Sequence, residues 1–316
     1  MSEPLILAVP SKGRLKEQVE EWLADCGLKL SVAGGSRGYM AELKGLPGLQ
    51  VRLLSAGDIA EALDAGDVHL GVTGEDLLRE RGEDVDARVL LLRPLGFGRA
   101  DLVVAVPKSW IDVDTMADLE EVGHDLLARS GRRMRVATKY LTQTRAFFAR
   151  HGVSDYRITE SGGATEGAPA AGSAELVVDI TTTGATLQAN GLKILTDGVI
   201  LKSQAQLAAG LRADWSPEQF SVAERMLRII EARAAAKESA MLTWPADPRE
   251  TPVVDALIAR GASRRPNGLL TPATWIAEAS LALADAGIGP VTASRPDFVY
   301  EVGCVAADKL RMRVEI

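Results

Sequence analysis

The chain has little cysteine, few aromatic side chains and no long apolar run, and each shortage removes a class of protein. Its two cysteines, Cys26 and Cys304, stand far apart among 316 residues. They cannot build a disulfide framework, and they have no metal-ligand spacing. Three histidines, His69, His124 and His151, form no HExxH or comparable cluster, so zinc chemistry is not expected. Positive charge is not in excess: 36 Lys and Arg face 43 Asp and Glu, a formal net charge of −7. Nonspecific nucleic-acid binding needs a dense cationic face, so no nucleic-acid partner is expected. No stretch of about 20 apolar residues is available to span a bilayer, and no membrane partner is expected. The opening Met1–Pro10 lacks a basic segment before its short apolar run, which reads as a cytoplasmic chain without a signal peptide. Familiar nucleotide and hydrolase motifs are also missing. There is no GxxxxGK(S/T) and no GxSxG, and Gly96-Phe97-Gly98 lacks the third glycine of the dinucleotide fingerprint.

What is present is an ordinary globular balance, 47% apolar and 25% charged, at a length that allows about two domains. Short aliphatic runs alternate with amphipathic stretches, which predicts an α/β fold with a largely parallel sheet. Strands are expected at Leu5–Val9, Leu28–Val32, Gln50–Leu54, Val68–Val72 and Arg88–Leu92. A helix is expected from Leu15, and a short one over Asp58–Leu63 with Asp58 as its N-cap. A second set begins near Asp101, with strands at Leu102–Val106, Met134–Ala137, Tyr156–Thr159 and Leu176–Ile180. Helices fall at Thr115–Leu127 and Thr142–His151. Lys193–Leu195 and Gly198–Leu207 read as strands that return to the first set. The expected organisation is therefore lobe I over 1–100, completed by about 191–215, and lobe II over 101–190. A helix at 216–237 and a small α+β domain at 238–316 follow, the latter with a β-like end at Leu310–Ile316.

The most informative segment is VVDITTTGATL, from Val177 to Leu187. A buried strand delivers Asp179, and a loop rich in hydroxyls then opens a helix. Such a turn aims backbone N–H groups at one point, with Thr182, Thr183 and Thr186 as further donors, Gly184 allowing close approach and Ala185 continuing the turn. A carboxylate just upstream suits a ribose diol, so the segment describes a ribose 5-phosphate site; a ligand-free Thr-rich helix cap is the competing description. Three further strand-to-helix turns lie where open α/β sheets bind ligands: PSKGRL with Lys12 and Arg14, LGVTGEDL with Glu75 and Asp76, and RVATKY with Lys139 and Tyr140.

These segments closely resemble the ATP phosphoribosyltransferase family, the first enzyme of histidine biosynthesis. The family signature is matched by Glu166, Gly172, Ala174, Val177, Asp179, Thr183, Gly184, Thr186 and Leu187. PSKGRL, GVTGEDLL, LGFGRADLVVAVP, RVATKY and GATLQANGLKIL also resemble the family's blocks, in order from about residue 5 to 237. The resemblance implies a two-lobed, periplasmic-binding-protein-like (type II) core with its active site in the cleft. It implies transfer of the phosphoribosyl group from phosphoribosyl pyrophosphate to N1 of ATP, with Mg²⁺ on the pyrophosphate and no metal held directly by the protein. By similarity, Asp179 meets the ribose hydroxyls, and Thr182, Thr183, Gly184, Ala185 and Thr186 the 5-phosphate. Lys12, Arg14 and Arg37 stabilise the leaving group, while Glu75, Asp76, Lys139, Tyr140 and Glu166 line the cleft.

The sequence departs from the family in two places. Gly57 stands where many members carry an arginine, so that arginine's role cannot be carried over. Ala240–Ile316 does not read as the strand–helix–strand repeat of the ACT-type regulatory domain found in the long form. The catalytic part looks closer to short-form relatives, which depend on a regulatory subunit resembling histidyl-tRNA synthetase. A homo-oligomer, with or without such a subunit, is expected, as is feedback inhibition. The competing function is a non-catalytic two-lobed ligand-binding or regulatory homologue, which the phosphate loop argues against.

Overall fold

The computed structural model describes residues 3–32, 40–246 and 250–314. The chain divides into two compact units, one drawn from 1–21, 30–43 and 48–216, the other from 22–29, 44–47 and 217–316.

The first unit holds two sheets. In chain order, lobe I comprises β1 (Leu5–Pro10), α1 (Gly13–Asp25), β2 (Lys29–Val32), β3 (Met40–Lys44), β4 (Leu49–Leu54), α2 (Ala56–Ala65), β5 (Leu70–Gly74), α3 (Glu75–Arg79) and β6 (Val89–Pro94). Lobe II follows with β7 (Ala100–Pro107), α4 (Met116–Ser130), β8 (Met134–Thr138), α5 (Leu141–Arg150), β9 (Tyr156–Glu160), β10 (Leu176–Thr181), α6 (Ala185–Ala189) and β11 (Leu192–Ser203), before β12 (Ala205–Gly210). The seven-stranded sheet runs β2-β3-β4-β1-β5-β12-β6 and the five-stranded sheet β11-β7-β10-β8-β9. In each sheet, the strand beside a crossing runs against its neighbours. Thus β12 is antiparallel to β5 and β6, and β7 to β10 and β11. This is the two-lobed, type II periplasmic-binding-protein-like core.

The expectation that 193–207 as a whole rejoins lobe I is corrected. β11 pairs with β7 and stays in lobe II, and only β12 crosses back. The division falls at Gln204. The helix over Asp58–Leu63 begins earlier than expected, because Ser55 is its N-cap and accepts a hydrogen bond from the Asp58 N–H at 3.2 Å. Asp58 therefore sits one turn in, where its charge suits the helix dipole. The short strand β3 had no sequence counterpart; its burial alternates, and it pairs with β4 at the sheet margin.

Strands buried on both faces read as unbroken aliphatic runs. Along β7, Leu102, Val104 and Val106 face one core, with Met116, Met134, Val136 and Phe148, while Val103 and Ala105 face another with Val177 and Leu187. In lobe I, α2 lies so close to β5 that a Cβ on Gly71 would stand 2.8 Å from Ile59 Cγ2. Helix α4 starts in a capping box, Thr115 and Asp118 exchanging side-chain to N–H bonds.

The second unit has the mixed α+β content expected of the tail but differs in its strand–helix–strand order and in its helical end. α7 (Pro217–Lys237) leads into β13 (Ser239–Thr243), α8 (Glu250–Ala259), β14 (Ser263–Arg265), β15 (Gly268–Pro272), α9 (Ile276–Asp285), β16 (Thr292–Ser294) and α10 (Val305–Val314). From β13 to β16 the order is strand–helix–strand twice over, and the sheet β14-β15-β13-β16 is antiparallel throughout. That is a split βαβ plan. It was hidden because β14 and β16 are three residues each and largely exposed, too short to show a period of two. The chain end is helical rather than β-like: Ala306, Ala307 and Leu310 are buried at helical spacing.

Glu175, just before β10, ties two strands together. Burial would raise its pKa, but hydrogen bonds from Arg135, Arg132 and the Arg135 N–H overrule this and hold it at about 2, against the usual 4.5. Glu175→Ala should cost about 2 kcal/mol at pH 7. Because the folded pKa is depressed, the wild-type advantage is complete above pH 4.5 and disappears as pH falls toward 2. Urea unfolding of both proteins across that range checks it.

Candidate functional site

In an open α/β sheet, ligands gather where successive connections leave to opposite sides. In lobe I that point lies at the carboxyl ends of β1 and β5, and in lobe II at those of β8 and β10, given the strand orders above. Lys12 and Arg14 follow β1, Glu75 and Asp76 follow β5, Lys139 and Tyr140 follow β8, and Asp179–Thr186 lie at the end of β10, while Glu166 lies in the β9–β10 connection. The chain crosses between lobes twice, through 95–99 and through Gln204. The crossings bond to each other: Leu95 N–H to Ala205 O at 2.9 Å, Ala205 N–H to Phe97 O at 3.0 Å, and Gly96 N–H to Gln204 Oε1 at 3.1 Å.

Two adjoining hollows lie beside this ladder. The smaller, about 320 Å³, is walled by Asp179, Glu166, Thr181–Thr183 and Thr186. The larger, about 530 Å³, is walled by Arg14, Gln18, the turn from Gly96 to Ala100, and Thr182. Ala100, Ile180 and Thr182 belong to both.

The loop after β10 is organised by its own hydroxyls. Gly184 N–H donates to Thr181 Oγ1 at 2.8 Å, and Ala185 N–H reaches Thr183 Oγ1 at a long 3.4 Å. A hydroxyl that accepts keeps its own hydrogen, so these threonines can still donate to an anion. Gly184 has φ +74°, a left-handed conformation costly for any residue with a Cβ. Asp179 is half-buried, with Oδ1 accepting the Ile180 N–H at 2.8 Å. Burial is the largest influence and raises its pKa above the usual 3.8; the Ile180 N–H and Lys139 pull it down, and Glu166 pushes it up.

Lys12 and Arg14 are exposed at the start of α1, Arg14 on the wall of the larger hollow. Lys139 is exposed beside Asp179, with Nζ 5.0 Å from the Tyr140 ring centroid. Glu75 is engaged within lobe I by Gln206 Nε2 at 2.8 Å and Arg79 at 3.4 Å. Asp76 borders the larger hollow, and both it and Tyr140 are buried. Tyr140 is 1% exposed and donates its hydroxyl to Asp76 Oδ2 at 2.7 Å, while Asp76 Oδ1 accepts from Ser203 at 2.8 Å. Burial, then the Asp76 charge, raises the Tyr140 pKa and keeps its hydroxyl protonated. The pair joins the lobes, because α3 packs against the start of α5. Arg37 lies outside the described residues. Gly57 falls in the first turn of α2, and no cation replaces it there.

Sequence reasoning missed Arg99. It is exposed on the wall of the larger hollow, and its carbonyl accepts from Thr182 Oγ1 at 3.3 Å. The signal was a cation placed between a glycine turn and a strand, within the LGFGRAD block. Among the described residues, no three His, Cys, Asp or Glu side chains converge as a metal-ligand set.

The hydroxyl-rich loop after β10 and the half-buried Asp179 line one hollow, and Arg14 and Arg99 line the hollow beside it. A family profile described as ATP phosphoribosyltransferase matches residues 55–231. An ATP phosphoribosyltransferase of Caulobacter vibrioides is 68% identical over 311 residues, 98% of this chain and 97% of that protein. One from Bradyrhizobium diazoefficiens is 60% identical over 238 residues, covering 75% of this chain and 73% of its own. A solved structure, the ATP phosphoribosyl transferase (HisG:HisZ) complex from Thermotoga maritima, has a chain 25% identical with a TM-score of 0.52; the match covers 72% of this chain and 98% of that one. The chain belongs to the ATP phosphoribosyltransferase family. It is a pentosyltransferase of histidine biosynthesis, EC 2.4.2.17, moving the 5-phosphoribosyl group from phosphoribosyl pyrophosphate to N1 of ATP. Such enzymes generally need a divalent metal.

Gly184→Ala should lower stability by about 1 kcal/mol through its forced left-handed backbone. It should also weaken phosphoribosyl pyrophosphate binding by disturbing the loop. Thermal unfolding and calorimetric titration check the two effects.

Proposed function

We propose that the smaller hollow holds the phosphoribosyl end of the donor and the larger one the pyrophosphate and ATP. The single observation carrying this reading is that β10 sets Asp179 and a hydroxyl-rich loop in one hollow, which opens into another walled by Arg14 and Arg99. Asp179 accepts hydrogen bonds from the ribose 2- and 3-hydroxyls. Thr182, Thr183 and Thr186 surround the 5-phosphate at the start of α6, on a loop whose Gly184 and Ala185 N–H groups are held by the Thr181 and Thr183 hydroxyls. Lys12, Arg14 and Arg99 face the departing pyrophosphate, and Lys139 and Glu166 border the ribose.

Adenine N1 carries a lone pair and needs no base to start. It forms the new bond to C1 as the bond from C1 to the pyrophosphate oxygen breaks, and the electron pair leaves with pyrophosphate. The barrier lies in an oxocarbenium-like ribose, so positioning and stabilisation of the departing charge dominate. The donor set of hydroxyls, cations and two carboxylates fits a metal that arrives on phosphate oxygens rather than one caged by protein. Mg²⁺ bound to the pyrophosphate would offset its charge, with no direct protein ligand assigned.

The reading extends to a cytoplasmic homo-oligomer, alone or with a regulatory subunit resembling histidyl-tRNA synthetase. The Thermotoga maritima complex supports the second form. The repeated strand–helix–strand order of the tail instead supports a built-in sensor of the kind the family's long form carries.

The test is the ultraviolet absorbance of adenine on mixing the chain, ATP, Mg²⁺ and phosphoribosyl pyrophosphate with pyrophosphatase. A rise requiring every component is expected; no rise even with the regulatory subunit added would overturn the reading. Asp179→Asn should reduce kcat/KM for the donor on the order of 100-fold. The wild-type profile should fall on the acid side with an apparent pKa above 3.8, because protonated Asp179 cannot accept both hydroxyls. Asp179→Asn should lack that limb.

A further inference from the structure

Helix α5 begins without a cap of its own. Its N-cap position is Tyr140, which makes no side-chain capping bond, and its first turn has no acidic residue. An uncapped helix leaves backbone N–H groups without partners, and a carboxylate there is favoured by the dipole. The missing acid comes from the other lobe. Glu80, at the end of α3, accepts the Thr142 N–H on Oε1 at 2.7 Å and the Gln143 N–H on Oε2 at 3.2 Å. Gln143 reciprocates, its Nε2 donating to Asp76 O at 2.9 Å.

We infer that Glu80 is a positioning residue for the transfer: by capping α5 from lobe I, it sets the donor-binding lobe at the angle the reaction needs. Besides the two crossings, α3 and the residue after it bond to lobe II at the start of α5, through Glu80 and the Asp76 carbonyl, and at β11, through Ser203. The hydrogen-bonded crossings form a narrow ladder that permits rotation, and a charged cap on a helix end resists it. Lys139 immediately precedes the capped helix, so its place beside Asp179 follows the same cap.

The inference rests on the proposed site reading and separates from it experimentally. The donor loop lies wholly on lobe II, whereas transfer needs both lobes. Glu80→Ala should therefore lower kcat by roughly 10- to 100-fold while the Kd for ribose 5-phosphate, which in the proposed reading meets only the lobe II loop, changes less than about twofold by calorimetry. Glu80→Gln keeps one acceptor oxygen at the same place and should recover part of kcat, and it serves if the alanine variant fails to fold. Unchanged kcat per folded site, or kcat and ribose 5-phosphate affinity lost in proportion, would overturn the positioning role. Asp179→Ala is the control: ribose 5-phosphate affinity unaffected by it would remove the site reading, while the Glu80 split in kcat would still decide the cap.

Discussion

Two crossings of the chain between its sheets constrain everything else in the first unit. They are bonded to each other through Leu95, Gly96, Phe97, Gln204 and Ala205. Each places one strand in its sheet against the direction of its neighbours, β12 in lobe I and β7 in lobe II. That arrangement leaves the carboxyl ends of β1, β5, β8 and β10 as loop-bearing edges, and Arg14, Asp76, Asp179 and Thr182, beside those edges, line the two hollows. An enzyme that forms no covalent intermediate depends on where its groups stand, so the hinge is part of the catalytic apparatus in the proposed mechanism.

The charges are divided in a way that suits anionic substrates on a chain of net charge −7. Between the lobes, the buried carboxylate of Asp76 is satisfied by the hydroxyls of Tyr140 and Ser203, and Glu80 by backbone N–H groups. Among the described residues, no arginine or lysine pairs with either carboxylate there. Elsewhere, cations serve structure, as where Arg132 and Arg135 hold Glu175 and Arg88 bridges Asp64 and Asp84. Arg14 and Arg99 stand on the cleft wall, in keeping with leaving-group roles that Gly57 cannot fill.

The relatives cover the second unit to different extents. The Caulobacter vibrioides relative matches through the tail, whereas the Bradyrhizobium diazoefficiens match spans 238 residues. The tail's strand–helix–strand repeat nevertheless has its own core, with Leu242, Val254, Leu257, Leu269, Ala279 and Leu283 buried together.

The sequence alone was enough for the α/β alternation, the Asp179 loop and the family, because each is written in contiguous residues: aliphatic runs buried on both faces, and a strand ending in TTTGAT. Helix starts were legible to within a turn where a short polar side chain caps them, as at Thr115. The tertiary structure alone decided three matters. It split 193–207 between the lobes at Gln204, since both halves are equally aliphatic and only pairing distinguishes them. It revealed the tail's repeat, whose three-residue strands carry no periodicity. It buried Asp76 against Tyr140 and turned Glu80 onto α5, contacts between residues more than 60 positions apart, which depend on how two lobes meet and leave no local pattern in either segment.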